Sequence, residues 1–424
     1  MNEIPVSPAI RLLDNGLTVV LAPDPSVPVV AVNLWYGVGS RDEREGETGL
    51  AHLFEHMMFQ GSANVPKGAH FAFVESAGGS MNASTWFDRT NYFETLPAHC
   101  LDLALWLESD RMGWLLPALD QEKLDNQRDV VRNEKRQVYD NRPYGDCQER
   151  IQALLFPQDH PYHHTVIGSM EDLAAATLED VERFFRSYYT PGNAVLTLAG
   201  DFAPDDALDR VRRYFGEIPR GAPPPPVPEG AGGGSVPGGP RLERVRAAVP
   251  LPRVYAALRI PAFTDPAFPA ADIAASVLGD GRASRLYRRL VRERRIAKDA
   301  SAHAYPLVTG GSFMVVRATG LADTDPELLE EAVGAELDAL GRVTAEEVDR
   351  AVARTGTALL RMVEGTGTRA DLLSMYQSLF GDASRLAGEI GRLRAVGPRE
   401  VEAFAADALG PGNRAVVTYV PEAA

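Results

Sequence analysis

Cysteine is almost missing from this chain: Cys100 and Cys147 are the only two in 424 residues. Two thiols exclude a disulfide framework or a thiolate metal centre, and both read as free and buried. No stretch approaches the roughly 18 apolar residues that a membrane-crossing helix needs. The opening, MNEIPVSPAIRLLDNGLTVV, lacks the basic start and continuous apolar run of a secretory signal. A cytoplasmic protein with no membrane partner is the expectation. Positive charge is also short, with 43 Lys and Arg against 58 Asp and Glu for a net −15. That balance disfavours nucleic acid, whose phosphates are recognised by concentrated Lys and Arg. What remains is ordinary for a folded soluble chain: 45% hydrophobic and 24% charged residues.

Proline and glycine, by contrast, are concentrated. Residues 218–240, IPRGAPPPPVPEGAGGGSVPGGP, keep no apolar periodicity and read as an interdomain linker. The predicted domains are therefore 1–217 and 241–424. An internal repeat supports the division. LEDVERFFRSYYTPGNAVLTLAGD (178–201) and PREVEAFAADALGPGNRAVVTYVP (398–421) align with Val181 on Val401, Phe184 on Phe404, and Pro191-Gly192-Asn193 on Pro411-Gly412-Asn413. Each copy reads as an amphipathic helix, a Pro-Gly-Asn turn and an apolar strand. Duplication of one α+β domain explains this economically.

In the first half, strands are predicted at about 17–23 and 28–36, the second alternating as a half-buried strand does. Thr48 is placed to cap a helix through LAHLFEHMMFQ that ends at Gly61. Strands at about 79–86 and 90–96 follow, and then long helices over about 100–140. Grouped strands and helices point to α+β layers rather than a doubly wound sheet.

The chemistry lies in His52-Leu53-Phe54-Glu55-His56. At 3.6 residues per turn His52 and His56 share one helix face, so both imidazoles can reach one metal ion. Glu55 borders that face and can act as base towards a water without being a ligand. This is the inverted zinc motif, and only eight histidines in the chain make it unexpected by chance. A catalytic zinc usually has three protein ligands. Glu134, in RDVVRNEKRQ, is the candidate third, although a glutamate in a charged helix is more often solvated.

Four segments in order, TGLAHLFEHMMFQGS, GGSMNASTWFDRTNYFETLP, QRDVVRNEKRQ and YTPGNAVLTLAGD, resemble the pitrilysin/insulinase family of metallopeptidases, which includes the mitochondrial processing peptidases. The resemblance implies one zinc ion per chain on His52, His56 and Glu134, with Glu55 as the catalytic base. It implies two homologous α+β domains, each a mostly antiparallel sheet packed with helices, arranged as a clam-shell around an extended peptide substrate. Ser80–Thr85, with Asn82 and Ala83, is similar to the family's substrate-binding edge strand. There a peptide adds as a further strand, gripped by main-chain hydrogen bonds. On residue type alone Asn82 is equally a turn residue.

Two departures accompany the likeness. Gln127 stands where many members carry a glutamate beside the zinc site. In the second half, Arg292 matches a substrate-holding arginine, but Lys298 or Asp299 occupies the place of an oxyanion-stabilising tyrosine. The resemblance then implies a heterodimer in which a homologous subunit supplies the Arg and Tyr, or otherwise a homodimer. The competing expectation is a non-catalytic structural or peptide-binding subunit of the same fold. Three other features read as structural: His160, His163 and His164 as an ordered loop, Gly279–Gly281 as no phosphate loop, and the arginines from Arg288 to Arg295 as a solvated helix face.

Overall fold

The computed structural model describes residues 3–227, 236 and 238–422. Of the expected linker, 228–235 and 237 lie outside the described residues. The strands are β1 (Ala9–Leu12), β2 (Thr18–Pro23), β3 (Val29–Tyr36), β4 (Ser80–Thr85), β5 (Thr90–Pro97), β6 (Ala194–Gly200), β7 (Arg241–Ala247), β8 (Arg253–Ile260), β9 (Ala297–Tyr305), β10 (Ser312–Gly320) and β11 (Ala415–Pro421). The first helices are α1 (Leu50–Met57), α2 (Ala69–Ser76), α3 (Leu101–Trp114), α4 (Gln121–Lys135), α5 (Cys147–Leu155), α6 (Met170–Ala175), α7 (Leu178–Tyr188) and α8 (Pro204–Phe215). The rest are α9 (Phe268–Gly279), α10 (Pro326–Asp338), α11 (Ala345–Glu364), α12 (Thr366–Phe380), α13 (Glu389–Arg394) and α14 (Pro398–Ala408).

Two compact units form, each around one sheet. The first runs to Glu134 and adds Val166–Val227 and Leu360–Glu389. The second takes Lys135–Thr165, the described residues from 236 to Leu359, and Ile390 onward. The first sheet has the order β1-β2-β6-β3-β5-β4 and the second β7-β11-β8-β10-β9. Apart from β1 the two orders correspond strand for strand. Even the parallel pair recurs, β2 with β6 and β7 with β11, while every other neighbour is antiparallel. The repeated helix-turn-strand is α7 into β6 and α14 into β11.

The units do not follow the sequence halves. Helix α5, from before the linker, packs on β8 and β11, whereas α12, from after it, packs on β3 and β6. The docking of α12 is partly polar: Ser374 donates to Thr197 Oγ1 at 2.7 Å, and Asp371 accepts from Asn33 at 3.2 Å and Asn91 at 2.8 Å. With α3 also against it, β3 is buried almost throughout, rather than half-buried as its alternation suggested. In the second unit the core joins β8 and β10 to the small residues of α9, including Ala271, Ala274 and Ala275.

Local chemistry explains α1. Its buried residues Leu50, Ala51, Leu53, Phe54 and Met57 form one face, and the Phe54 ring packs on Tyr189, tilted by 43° with centroids 4.2 Å apart. The N-cap is Gly49, not Thr48. Its φ of 89° favours glycine, and a Cβ there would stand 2.6 Å from the Ile167 carbonyl oxygen. Glu43 caps the first amides of the helix instead, accepting from Gly49 and Ala51 at 2.8 and 2.7 Å. Thr48 is used elsewhere, donating to Asp172 at 2.6 Å and accepting from the Ser169 amide at 2.9 Å. Among the described residues no helix is long and apolar enough to cross a membrane.

Candidate active site

Burial of Leu53, Phe54 and Met57 turns His52, Glu55 and His56 towards the opposite side of α1. Helix α4 buries Leu124, Gln127 and Val131, and brings Glu134 to the two histidines. The Glu134 carboxylate lies 3.7 Å from His52 Nε2 and 3.5 Å from His56 Nε2. One ligand-type atom from each of the three falls within 4.8 Å of the other two. The rings are nearly perpendicular, at 78°.

Electrostatics separates the two imidazoles. Burial, with His56 nearby, lowers His52 to about 4. Burial also pulls on His56, but its contact with Glu134 and the charge of Glu55 outweigh that and raise it. Glu134 is correspondingly lowered, first by its hydrogen bond with His56. A neutral imidazole, an imidazole paired with a carboxylate and one ionised glutamate make a donor set that can hold a divalent cation. Two nitrogens and one oxygen suit zinc. The buried His52 Nδ1 has no hydrogen-bond partner.

Glu55 belongs to a second cluster. Its Oε2 accepts from the Thr85 hydroxyl at 2.6 Å. Burial raises its carboxyl from the usual range, while Thr85 and the charges of His56 and Arg89 oppose the rise. Thr85 ends β4, the edge strand, and β4 packs against α1. The arrangement therefore sets a proton acceptor between three converging donor atoms and an open sheet edge.

Arg89 braces that edge. Its Nη1 donates to the Ser84 carbonyl at 2.7 Å, the Ser84 hydroxyl at 2.6 Å and Asn91 Oδ1 at 3.1 Å. Asn82 is exposed on β4, where its side chain accepts from the Ala83 amide at 2.9 Å. Ala83 itself is buried. Gln127 is buried beside His56 and contributes to holding that imidazole up. Arg292 falls in the second unit, exposed on the π-helical turn Tyr287–Glu293. Lys298 and Asp299 lie on β9, and Asp299 accepts from the Thr319 hydroxyl at 3.1 Å. In the sequence Thr85 reads only as the end of the edge strand, without its contact to Glu55, and Arg89 is not singled out. Thr85 is 30 residues from Glu55, and no local pattern connects them.

The chain matches a profile described as Insulinase (Peptidase family M16) over residues 18–161 and one described as Peptidase M16 inactive domain over 175–355. The zinc protease PqqE of Helicobacter pylori is 31% identical over 377 residues, which is 86% of this chain and 82% of that protein. This chain belongs to the M16, or insulinase, family. As an M16 chain it has a close structural counterpart in a protease from Helicobacter pylori, with a TM-score of 0.91 at 29% identity, over 98% of this chain and all of that one. A probable mitochondrial-processing peptidase subunit beta of Arabidopsis thaliana is 26% identical over 51% of this chain and 40% of its own. The insulinase profile spans His52, Glu55, His56 and Glu134, and the inactive-domain profile spans Arg292.

Cys100 and Cys147 are free and part-buried rather than fully buried. His160 is buried, takes the Tyr162 amide on Nδ1 at 3.1 Å and is lowered to about 4 by burial, as suits an ordered loop.

Proposed function

We propose that this chain is a zinc-dependent endopeptidase acting on extended peptides or unfolded segments. The observation that carries the reading is the convergence of His52, His56 and Glu134 within 4.8 Å, beside a carboxylate held by Thr85. His52, His56 and Glu134 would hold one zinc ion. When bound there, zinc lowers the pKa of a coordinated water towards about 7 and polarises a substrate carbonyl.

The chain's own groups do the rest. Glu55 accepts the proton of the attacking water and returns it to the departing amine, since it is a carboxylate beside but outside the ligand set. Thr85 fixes which carboxylate oxygen is engaged. The β4 edge, braced by Arg89, takes the peptide as an added strand, with Asn82 and Ala83 beside the scissile region. The Asn82 side chain must leave the Ala83 amide for that amide to serve an incoming strand.

A partner fits this reading. With Lys298 and Asp299 where a tyrosine is expected, a homologous subunit would supply the missing Arg and Tyr, in a heterodimer or else a homodimer. The second reading, a non-catalytic peptide-binding subunit, is favoured by that same gap. Metal analysis and Glu55→Gln separate them. The enzyme binds zinc through the three residues, and Glu55→Gln keeps the metal while abolishing cleavage of an unfolded peptide. A chain whose cleavage, measured with its partner subunit, survives Glu55→Gln is not this enzyme.

A further inference from the structure

A second set of ligand-type side chains lies inside the first unit, apart from the residues of the candidate active site. His70 on α2, Glu94 on β5 and Glu108 on α3 are all buried, at 5%, 1% and 1% exposure. One ligand-type atom of each lies within 4.8 Å of the other two. Arg111, one turn beyond Glu108, grips that carboxylate through Nε at 2.9 Å and through Nη2. Its guanidinium lies over Tyr92 and Phe59, 4.1 and 5.2 Å from the ring centres.

The arrangement leaves particular atoms without partners. Both oxygens of Glu94 and Nε2 of His70 are buried and make no hydrogen bond. Buried polar atoms are nearly always paired, so these three atoms, with the likewise unpaired Nη1 of Arg111 beside them, require something between them. Nε2 of His70 and Oε2 of Glu94 are 3.7 Å apart. That is too long for a hydrogen bond. It fits two ligands of one ion, because bonds of about 2.1 Å at a tetrahedral centre put neighbouring donors about 3.4 Å apart. The candidate active site has the same spacing, 3.5 and 3.7 Å.

We propose that His70, Glu94 and Glu108 bind a second divalent cation, a buried structural ion of the Mn2+ to Zn2+ range. One imidazole and two carboxylates are a mixed nitrogen and oxygen set that these ions accept, whereas Ca2+ takes six to eight oxygens. Burial lowers His70 well below its ordinary value, which leaves a neutral imidazole able to ligate. It raises Glu94 well above the carboxylate range, so the ion displaces a proton from Glu94 as it enters. Arg111 pairs with Glu108 and its charge also favours an ionised Glu94, whose oxygens the ion binds directly. Because the three residues come from α2, β5 and α3, the ion joins three elements beneath the turn that follows α1. Enclosure means that it is taken up as the chain folds and is released slowly.

The test uses the full chain refolded or expressed with Zn2+ or Mn2+, and crystals measured at the absorption edge of that metal. An anomalous peak between His70, Glu94 and Glu108 is expected, together with one metal equivalent that survives dialysis against EDTA under native conditions. Glu94→Gln should remove that equivalent. His52→Ala/His56→Ala should retain it, so the outcome is separate from the zinc reading of the candidate active site. Density for water alone at this position, with no anomalous signal in wild-type crystals, overturns the inference whether or not Glu94→Gln folds.

Discussion

Replacing Thr85 by valine removes one hydroxyl and leaves the shape of β4 intact. The hydroxyl donates to Glu55 at 2.6 Å, a hydrogen bond to an ionisable carboxylate. Such bonds contribute about 1.5–3 kcal/mol, which corresponds to roughly 10- to 150-fold in rate if the whole interaction orients the base. Thr85 and Glu55 are only partly buried, so water can replace some of the lost donation, and the expected fall in kcat is near the lower end, about tenfold. KM should change little, because Thr85 acts through Glu55. Zinc content should be unchanged, because Thr85 touches none of the three converging donors. The carboxyl of Glu55 is raised by burial and lowered by Thr85. Losing the hydroxyl raises it further, and since a base must be ionised, the acid limb of the rate profile moves to higher pH. Steady-state cleavage of an unfolded peptide, with the partner subunit present, reads all of this. Thr85→Ser should recover most of the rate. A Thr85→Val protein with unaltered kcat, or a serine variant as slow as the valine one, refutes the positioning role.

Further outcomes follow from other contacts. Glu134→Gln should weaken zinc binding strongly and abolish cleavage, measured by metal analysis after dialysis against a low zinc concentration. Phe54→Ala removes the ring that packs the motif helix on Tyr189 and should cost about 3–5 kcal/mol, seen in urea denaturation. Gly49→Ala forces a side chain into a left-handed backbone and against the Ile167 carbonyl, so thermal unfolding should begin at lower temperature. Glu347 is held down to about 2, first by its hydrogen bonds from Arg285, against an ordinary 4.5. A depressed carboxyl stabilises the fold above pH 4.5 and loses that contribution as pH falls towards 2. The drop in denaturation midpoint between pH 5 and pH 3 should therefore be smaller for Glu347→Gln than for the parent.

The motif helix was legible because its signal is local. Leu53, Phe54 and Met57 alternate with His52, Glu55 and His56 at helical spacing, and one sequence window contains both the core face and the chemistry. Its start was misread because Thr48 is a common capping residue, while the actual cap depends on Glu43 and on the close approach of Ile167, neither visible nearby. Helix α2 went unseen since only His70 and Val74 of its eight residues are buried, and Phe71 and Phe73 mimic a strand's alternation while staying partly exposed. Glu134 is a candidate from its helix, where it follows the apolar pair Val130 and Val131, but the likeness to a family is what separates it from the other acids of that charged helix. The buried partners of His70 could not be read at all, because three separate elements supply them.

Duplication explains what the halves share, and the first helix of each explains where they diverge. In the first unit α1 follows β3; in the second α9 follows the corresponding β8. Helix α9 is Phe-Pro-Ala-Ala-Asp-Ile-Ala-Ala-Ser-Val-Leu-Gly, with nine of its twelve residues buried. It has no histidine or glutamate to offer, and its small side chains let it pack closely on the sheet. Helix α1 buries five of eight and keeps a polar face. A helix that carries a catalytic metal must leave one side open to solvent and substrate, and the apolar packing of the other side must then hold it in place. That difference between the two helices, rather than any difference in sheet topology, is what leaves α1 with a polar face and gives α9 over to packing.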